Sequence, residues 1–581
     1  MQATTNQSDV HRGLRVIFCL LAALLGALHA WNARHAMNPD GISYLDMGDA
    51  AMRGDWSMAF NGLWSPLYGW LIGFVLAVVE PTAYWEVPLV HFVNFIIYLL
   101  ALICFDFFLH EMIRYLHGHR DGATSDARKP LPTWAWTVLG YPLFMWAALY
   151  LNGLAAVTPD MLMSASVYLA TAILLRIRGG RAGWLEFAAL GVVLGFGYLA
   201  KASMFPLAFV FLLSSLFAFG NLRRAVPRAS LALCVFLAVG SLYFVPLSLA
   251  KGRLTFGDSG MLNYAWYVNQ TTLHVHWQGE PRGNGTPAHP TRKVHDAPAV
   301  YEFRTPIKAT YAPWYDPSYW YEGVRARFDF AGQRRVLKRN VAILYNILFA
   351  KWQAVWMVGF LILFLSGCRR PSSCLKRLAE QWYLLLPALA AMGMYALVRV
   401  EARYVAVFIV LLALGLFSGV RLAERRAGER LAACIAVVVA SVLLVGFVPS
   451  TFVAARSLVH NLTRGEDVSD SPHWQVAEGL KRMDVERDDE VASIGYGFNA
   501  LWARLARVRI VAEITSGSLE APATDVEEFW AADSSAQTRI IELFARTGAK
   551  VVVADSAPDG ASASGWQRVN DTKYHVYVLA R

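Results

Sequence analysis

Charged residues are scarce: Asp, Glu, Lys and Arg make up 17% of the 581 residues, against about 25% in an ordinary soluble protein. Cysteine is scarcer, six in all, which excludes a disulfide scaffold. No long polar stretch marks a disordered chain. What is plentiful is apolar: 56% of residues are hydrophobic, 13% aromatic, and the mean hydropathy is +0.37. A soluble enzyme of several globular domains is thereby excluded, and a multispanning membrane protein is left. The net charge of +10 does not mark nucleic-acid binding. The basic residues come in short clusters between apolar runs, as the positive-inside rule distributes them.

Apolar stretches near the roughly 20 residues a bilayer needs lie at 14–33, 87–112, 133–151, 160–176, 184–200, 203–219, 229–250, 341–365, 379–398, 404–420 and 431–449. A further run, 63–79, decides the orientation. If it crosses, the 80–86 connector is cytoplasmic without a Lys or Arg, and the cluster from Arg114 to Lys129 falls outside. If it lies in the interface, all the basic clusters fall on one side: Arg12 and Arg15, Arg114 to Lys129, Arg176 to Arg181, Arg223 to Arg228, Arg369 to Arg377 and Arg421 to Arg430. The charge bias therefore makes 63–79 a juxtamembrane or re-entrant helix. The fold class is an α-helical polytopic membrane protein of about eleven spans, N-terminus cytoplasmic. All six cysteines then lie in spans or cytoplasmic connectors, so no stapling in an oxidising compartment is expected. The transmembrane module covers 1–450, with exported loops at 34–63 and 251–340. From about residue 465 to 581 the composition changes to alternating strand and helix patterns, a small exported α/β domain. Strands are read at 490–494, 508–514 and 550–554, with helices at 474–483, 498–507 and 536–547.

The first exported loop places Asp40 just beyond the first span, followed by Asp46, Asp49 and Asp55. A carboxylate at the bilayer surface suits a general base that takes a proton from an acceptor hydroxyl; the plainer reading is that Asp40 caps a helix beginning at Gly41. Asp46 and Asp49, three apart on one helical face, read as a solvated face or a metal-assisting pair. Lys201 and Arg403 lie at span ends, where they suit a phosphate or snorkel. Glu401 pairs with Arg399 or Arg403. The aromatic run 311–321, followed by Arg325 to Arg339, reads first as an interfacial helix, with sugar stacking as the alternative. His274 and His276, with His289 and His295 nearby, would face one metal from a strand, but no Cys or acidic partner has matching spacing. Gly495-Tyr496-Gly497-Phe498-Asn499-Ala500 with Glu513 is a partial dinucleotide fingerprint; a structural or acceptor-presenting role for the domain fits an exported segment better.

In the order Asp40, Trp64-Ser65-Pro66-Leu67-Tyr68, Thr158-Pro159-Asp160, Leu199-Ala200-Lys201 and Val400-Glu401-Ala402-Arg403-Tyr404, the chain resembles the GT-C membrane glycosyltransferases, among them protein O-mannosyltransferases and lipid A aminoarabinose transferases. The resemblance runs from about residue 14 to 420. It implies a sugar donor carried on a polyprenyl phosphate, an acceptor glycan, lipid or protein at the outer face of a bacterial inner membrane, and inverting transfer of a hexose or pentose. Asp40 would be the base, Asp46 or Asp160 a second catalytic acid, and Lys201 and Arg403 the cations on the donor phosphate. One departure stands: family members often carry two adjacent acids in the first loop, whereas Gly41 follows Asp40. The resemblance names no certain cofactor and leaves a divalent ion open. A lipid-linked saccharide flippase would instead show charged residues lining the spans and an internal repeat, and neither is present in the sequence. A noncatalytic scaffold would be indifferent to loss of Asp40.

Overall fold

The computed structural model describes residues 2–118, 129–273, 276–368, 370–422, 426–464, 471–517, 524–558 and 561–579. The chain divides into two compact units. One comprises Met1–Arg34, His91–Pro246 and Gln333–Val459; the other comprises His35–Val90, Leu247–Gly332 and His460–Arg581.

The first unit is helical. The apolar runs assigned to spans are helical over most of their length, the 341–365 run being broken at Ala350, and Thr133–Met145 continues as a π-helical stretch over Trp146–Asn152. Among the described residues five helices are long and apolar enough to cross a bilayer: His11–Asn32, Ala83–Gly118, Asp160–Arg178, Leu222–Lys251 and Ala427–Val445. A sixth is added if Phe330–Phe349 and Lys351–Ser366, bent by 77° at their break, count as one span. Trp184–Ala200, Met204–Ala218, Trp382–Ala396 and Ala402–Ser418 have 15 to 17 residues. At 1.5 Å per residue they reach roughly 22–26 Å, short of a hydrocarbon core of about 30 Å. The count of about eleven is therefore not met by length and composition. Ala402–Ser418 is buried on every side from Val405 to Leu411, the mark of a helix in the middle of a bundle. Where Arg15 donates from Nε to Asp106 Oδ1 at 2.7 Å, the Tyr141 hydroxyl donates to the same oxygen. Cys368 and Cys374, which the sequence places in a cytoplasmic connector, are joined. Six residues apart at the start of the Pro371–Ala379 helix, their Cα atoms lie 5.9 Å from each other, within bonding range.

The second unit is built on a seven-stranded sheet. Its strands are β1 (Arg292–Asp296), β2 (Ala299–Glu302), β3 (Glu490–Gly495), β4 (Arg509–Thr515), β5 (Val551–Ala554), β6 (Gln567–Arg568) and β7 (His575–Val578), in the order β1-β2-β4-β3-β5-β7-β6. β3 runs parallel to β4 and β5, and the other pairings are antiparallel. The three parallel strands are buried along nearly their whole length, as strands covered on both faces must be. Val300 of β2 belongs to the same core as Ile494, Ile514, Phe529, Phe544 and Val552. The 251–340 loop thus supplies two strands to the sheet of the C-terminal domain.

Two helices of the first loop region cross at glycine. A Cβ on Gly48, in Pro39–Met52, would lie 2.5 Å from the Gly69 carbonyl oxygen and 2.9 Å from Gly73 Cα, both in Pro66–Val79. A Cβ on Gly73 would meet the Gly48 backbone at 2.6 Å. Only glycine lets these backbones touch, and the contact fixes the helix that carries Asp40 and Asp46. The aromatic run 311–321 is not an interfacial helix. It forms two short helical turns, Ala312–Tyr315 and Pro317–Trp320, and the amphipathic helix begins later, at Phe330.

Candidate functional site

In the first unit, three distant segments meet at Asp160. Asp160 occupies the first turn of its helix, where the macrodipole favours a negative charge, and is 1% exposed. Lys201 closes the Trp184–Ala200 helix in extended conformation, which turns its side chain to an ion pair with Asp160. Its ammonium lies 3.8 Å from the centroid of the Tyr404 ring. Arg403, in the first turn of Ala402–Ser418, has Nη1 3.9 Å from Asp160 Oδ2 and donates from Nε to Glu401 Oε2 at 2.7 Å. Arg399 pairs with the other oxygen of Glu401. Tyr404 stacks on Tyr395, whose hydroxyl donates to Ser203 at 2.8 Å. Neither Lys201 nor Arg403 snorkels. With Arg399 the cations outnumber the carboxylates, so the cluster can receive an additional anion, with the Arg403 guanidinium offering planar donors and Lys201 a point charge. Tyr404, the last residue of the Val400–Tyr404 motif, carries no role in the sequence reading and is part of this cluster.

In the second unit, the helix bearing Asp40 starts at Pro39, with Asn38 as N-cap. Asp40 is therefore not the cap. It stands in the first turn, half-buried, and accepts a hydrogen bond at Oδ1 from Trp314 Nε1 at 3.1 Å. Two turns along the helix, Asp46 is fully engaged: Oδ1 accepts from Arg504 Nη1 at 2.8 Å and Thr310 Oγ1 at 2.9 Å, and Oδ2 accepts from the Thr310 amide at 2.8 Å. Burial pushes the Asp46 carboxyl above the usual carboxylate range, more than Arg504 and Thr310 pull it down. Asp49 also loses water, but Arg504 at 2.7 Å and Arg507 at 3.4 Å outweigh burial and hold its carboxyl low. Arg504, 3% exposed, donates from Nε to Glu86 Oε1 at 2.7 Å, and Arg507 pairs with the other Glu86 oxygen. Asp46 and Asp49 are thus neither a solvated face nor a metal pair, because Arg504 and Arg507 occupy the place a cation would take.

Among the described residues no group of three or more His, Cys, Asp or Glu is arranged to hold a metal. His276 Nε2 bonds Glu513 Oε1 at 2.7 Å, His289 pairs with Glu322, and His295 Nδ1 lies 2.9 Å from the Pro298 carbonyl oxygen. His274 lies outside the described residues. The dinucleotide reading also fails on geometry. Glu513 is buried and accepts from Tyr311 as well as His276, and a Cβ on Gly497 would already collide with Glu513 Oε2 at 2.3 Å.

Comparison with known protein families gives no match, and no curated protein matches. Among solved structures the chain is similar to ArnT from Cupriavidus metallidurans in the apo state, at 13% identity over 98% of each chain with a TM-score of 0.48. It is also similar to the same protein bound to undecaprenyl phosphate, at 14% identity, 98% of each chain and a TM-score of 0.47. The Archaeoglobus fulgidus oligosaccharyltransferase in complex with Zn and sulfate matches at 13% identity, over 93% of this chain and 68% of that one, with a TM-score of 0.47.

Proposed function

We propose that the chain is a membrane glycosyltransferase that moves a sugar from a polyprenyl-phosphate donor to an acceptor hydroxyl on the outer face of a bacterial inner membrane. The observation that supports this reading best is the convergence of Lys201 and Arg403 on the buried Asp160, a cation excess suited to a lipid-linked phosphate. Asp160 orients the two cations. Lys201 and Arg403 hold the donor phosphate and take up the charge that grows on it as the glycosidic bond breaks. Asp40 removes the proton from the acceptor oxygen as that oxygen bonds the anomeric carbon. A single displacement of this kind inverts the anomeric centre. Asp46, with both oxygens engaged by Arg504 and Thr310, holds the helix that presents Asp40.

The test is transfer by the purified full chain in lipid nanodiscs, supplied with polyprenyl-phosphate-linked pentoses and hexoses and with extracted envelope glycolipids. Mass spectrometry should find a glycosylated acceptor and free polyprenyl phosphate in equal amounts. No transfer from any of these donors, together with unchanged envelope glycans in cells lacking the gene, would overturn the proposal.

A further inference from the structure

One run of basic residues stands apart from the clusters that set the topology. Arg334, Arg335, Lys338 and Arg339 fall within six positions of the helix Phe330–Phe349, and that helix contains no Asp or Glu. From Gln333 onward it belongs to the first unit.

Its inner face is engaged by the protein. Val336 and Asn340 are 2% and 0% exposed, Gln333 Nε2 donates to the Leu397 carbonyl oxygen at 2.7 Å, and Asn340 Nδ2 donates to that of Ala396 at 3.0 Å. The outer half carries two strips side by side. Leu337, Val341 and Tyr345, spaced four apart and so on one line of the helix, are 39%, 52% and 61% exposed. Arg334 with Lys338, and Arg335 with Arg339, make the strip beside them, and all four cations are exposed.

The helix lies across the bundle. Lys351–Ser366, which follows it, runs antiparallel beside Ala427–Val445: a Cβ on Gly446 would meet the Trp352 ring at 2.6 Å, and one on Gly359 would meet Val439 and Ile435 at 2.8 and 2.9 Å. Phe330–Phe349 is turned by 77° from Lys351–Ser366, so with Ala427–Val445 as a span it lies close to the plane of the bilayer. It stands at the end of the bundle opposite the Arg421–Arg430 cluster, the end that the charge bias makes the exported one. The positive-inside rule therefore gives no reason for four cations here. An anion at that surface gives one.

An in-plane helix with an apolar strip beside a basic one has the build of an interfacial segment, its apolar edge at the acyl boundary and its cations among the headgroups. A phosphodiester carries one negative charge on two non-bridging oxygens, which Arg meets with paired donors and Lys as a point charge. A zwitterionic headgroup adds an ammonium that the four cations repel. An acidic protein surface would use the basic strip and leave Leu337, Val341 and Tyr345 in water.

We infer that this strip binds the phosphodiester headgroups of anionic phospholipids in the exported leaflet. Such binding needs no turnover and makes no use of the transferase reading.

The experiment is photolabelling of the full chain in phosphatidylcholine nanodiscs doped with a diazirine-bearing phosphatidylglycerol or with a diazirine-bearing phosphatidylcholine of the same acyl chains. Cleavage after Arg339 and Lys351 releases residues 340–351, the part of the helix that follows the basic strip, and mass spectrometry reads the label on that peptide. Phosphatidylglycerol should label it at least about fivefold more than phosphatidylcholine, the scale of one cation at an anionic lipid surface. Arg334→Gln combined with Lys338→Gln leaves both cleavage sites and should remove most of the preference. One polyprenyl phosphate per chain, against phosphatidylglycerol in excess, should leave the labelling unchanged. Should the double variant fail to fold, salt decides on the unaltered protein: exposed charges are screened, so the preference should shrink between about 50 mM and about 500 mM NaCl. Equal labelling by the two lipids, an undiminished preference in the folded double variant or at high salt, or loss of the label to a single polyprenyl phosphate overturns the inference.

Discussion

Arg504 donates from Nη1 to Asp46 Oδ1 at 2.8 Å across 458 positions of sequence, with Nε committed to Glu86. Replacing it by methionine leaves Asp49 and Glu86 paired with Arg507 and Asp46 bonded to Thr310. Breaking a buried pair from one side costs about 3–5 kcal/mol. Arg504→Met should lower the denaturation midpoint of the purified protein accordingly. Arg504→Lys should recover only part of the loss, because one ammonium cannot reach all three carboxylates in the way a guanidinium fork does.

Asp40→Asn should abolish transfer while leaving the fold intact. Asn38, and not Asp40, is the N-cap, so no cap is lost, and the remaining side-chain oxygen still accepts from Trp314. The expected loss is about 100-fold or more, the scale of removing a general base. Asp46→Asn should separate from it by losing stability first. Retention of more than about a tenth of the wild-type rate by Asp40→Asn would take the base role away from Asp40.

Gly48→Ala puts a methyl group where the Gly69 and Gly73 backbones already lie. Overpacking of this kind costs about 1–3 kcal/mol, and it should displace the helix carrying Asp40. Both the thermal midpoint and the transfer rate should fall. Gly54→Ala serves as a comparison that meets no neighbouring atom, although its positive φ of 74° carries its own backbone cost.

Two groups in the C-terminal domain give opposite pH slopes. Burial pushes Asp555 up to about 6, against the hydrogen bond its Oδ2 accepts from the Tyr496 amide, and burial lowers His473 to about 4. Folded Asp555 holds a proton that the unfolded chain has released, so its contribution to stability is lost as pH rises from about 4 to 6. Folded His473 lacks a proton the unfolded chain has taken up, so its contribution is lost as pH falls from 6.5 to about 4. Relative to wild type, Asp555→Asn should therefore gain stability as pH rises through this window, and His473→Gln should gain it as pH falls. Denaturation midpoints at pH 4, 5, 6 and 7 measure both, and the same slope in both variants would contradict the assignment.

Topology offers a check that needs no activity. Reporter fusions after Pro81, Asp121 and Asp160 should read outside, inside and outside, following the basic clusters. A cytoplasmic signal at Pro81 would make the Pro66–Val79 helix a span.

Periodicity and composition made much of this architecture legible. The apolar runs became helices, and the 490–494, 508–514 and 550–554 patterns became β3, β4 and β5 with ends shifted by one residue or so. Asp160, Lys201 and Arg403 stand at the ends of apolar runs, and the resemblance to the GT-C glycosyltransferases is what singles them out. β1 and β2 escaped because Arg292–Asp296 is mostly polar and Ala299–Glu302 has only four residues, and their pairing with the C-terminal strands leaves no local trace. Arg504 escaped for the same reason, although one signal was present. Arg504 and Arg507 repeat the three-residue spacing of Asp46 and Asp49, so two helical turns carry matching charges of opposite sign. Trp314 was hidden in an aromatic run whose plainest explanation was the membrane surface.

The shared sheet sets a schedule for biosynthesis. Roughly 190 residues separate the end of β2 from the start of β3, which at 5–20 residues per second is about 10–40 s of translation. Through that interval the edge of β2 destined for β4 has no strand beside it, and an open edge invites pairing with whatever strand is nearest. The hairpin carries Arg292, Lys293, Asp296 and Glu302, charges that disfavour such adventitious pairing. A chain released before β4 is made would therefore carry two strands, β1 and β2, that still await their partner.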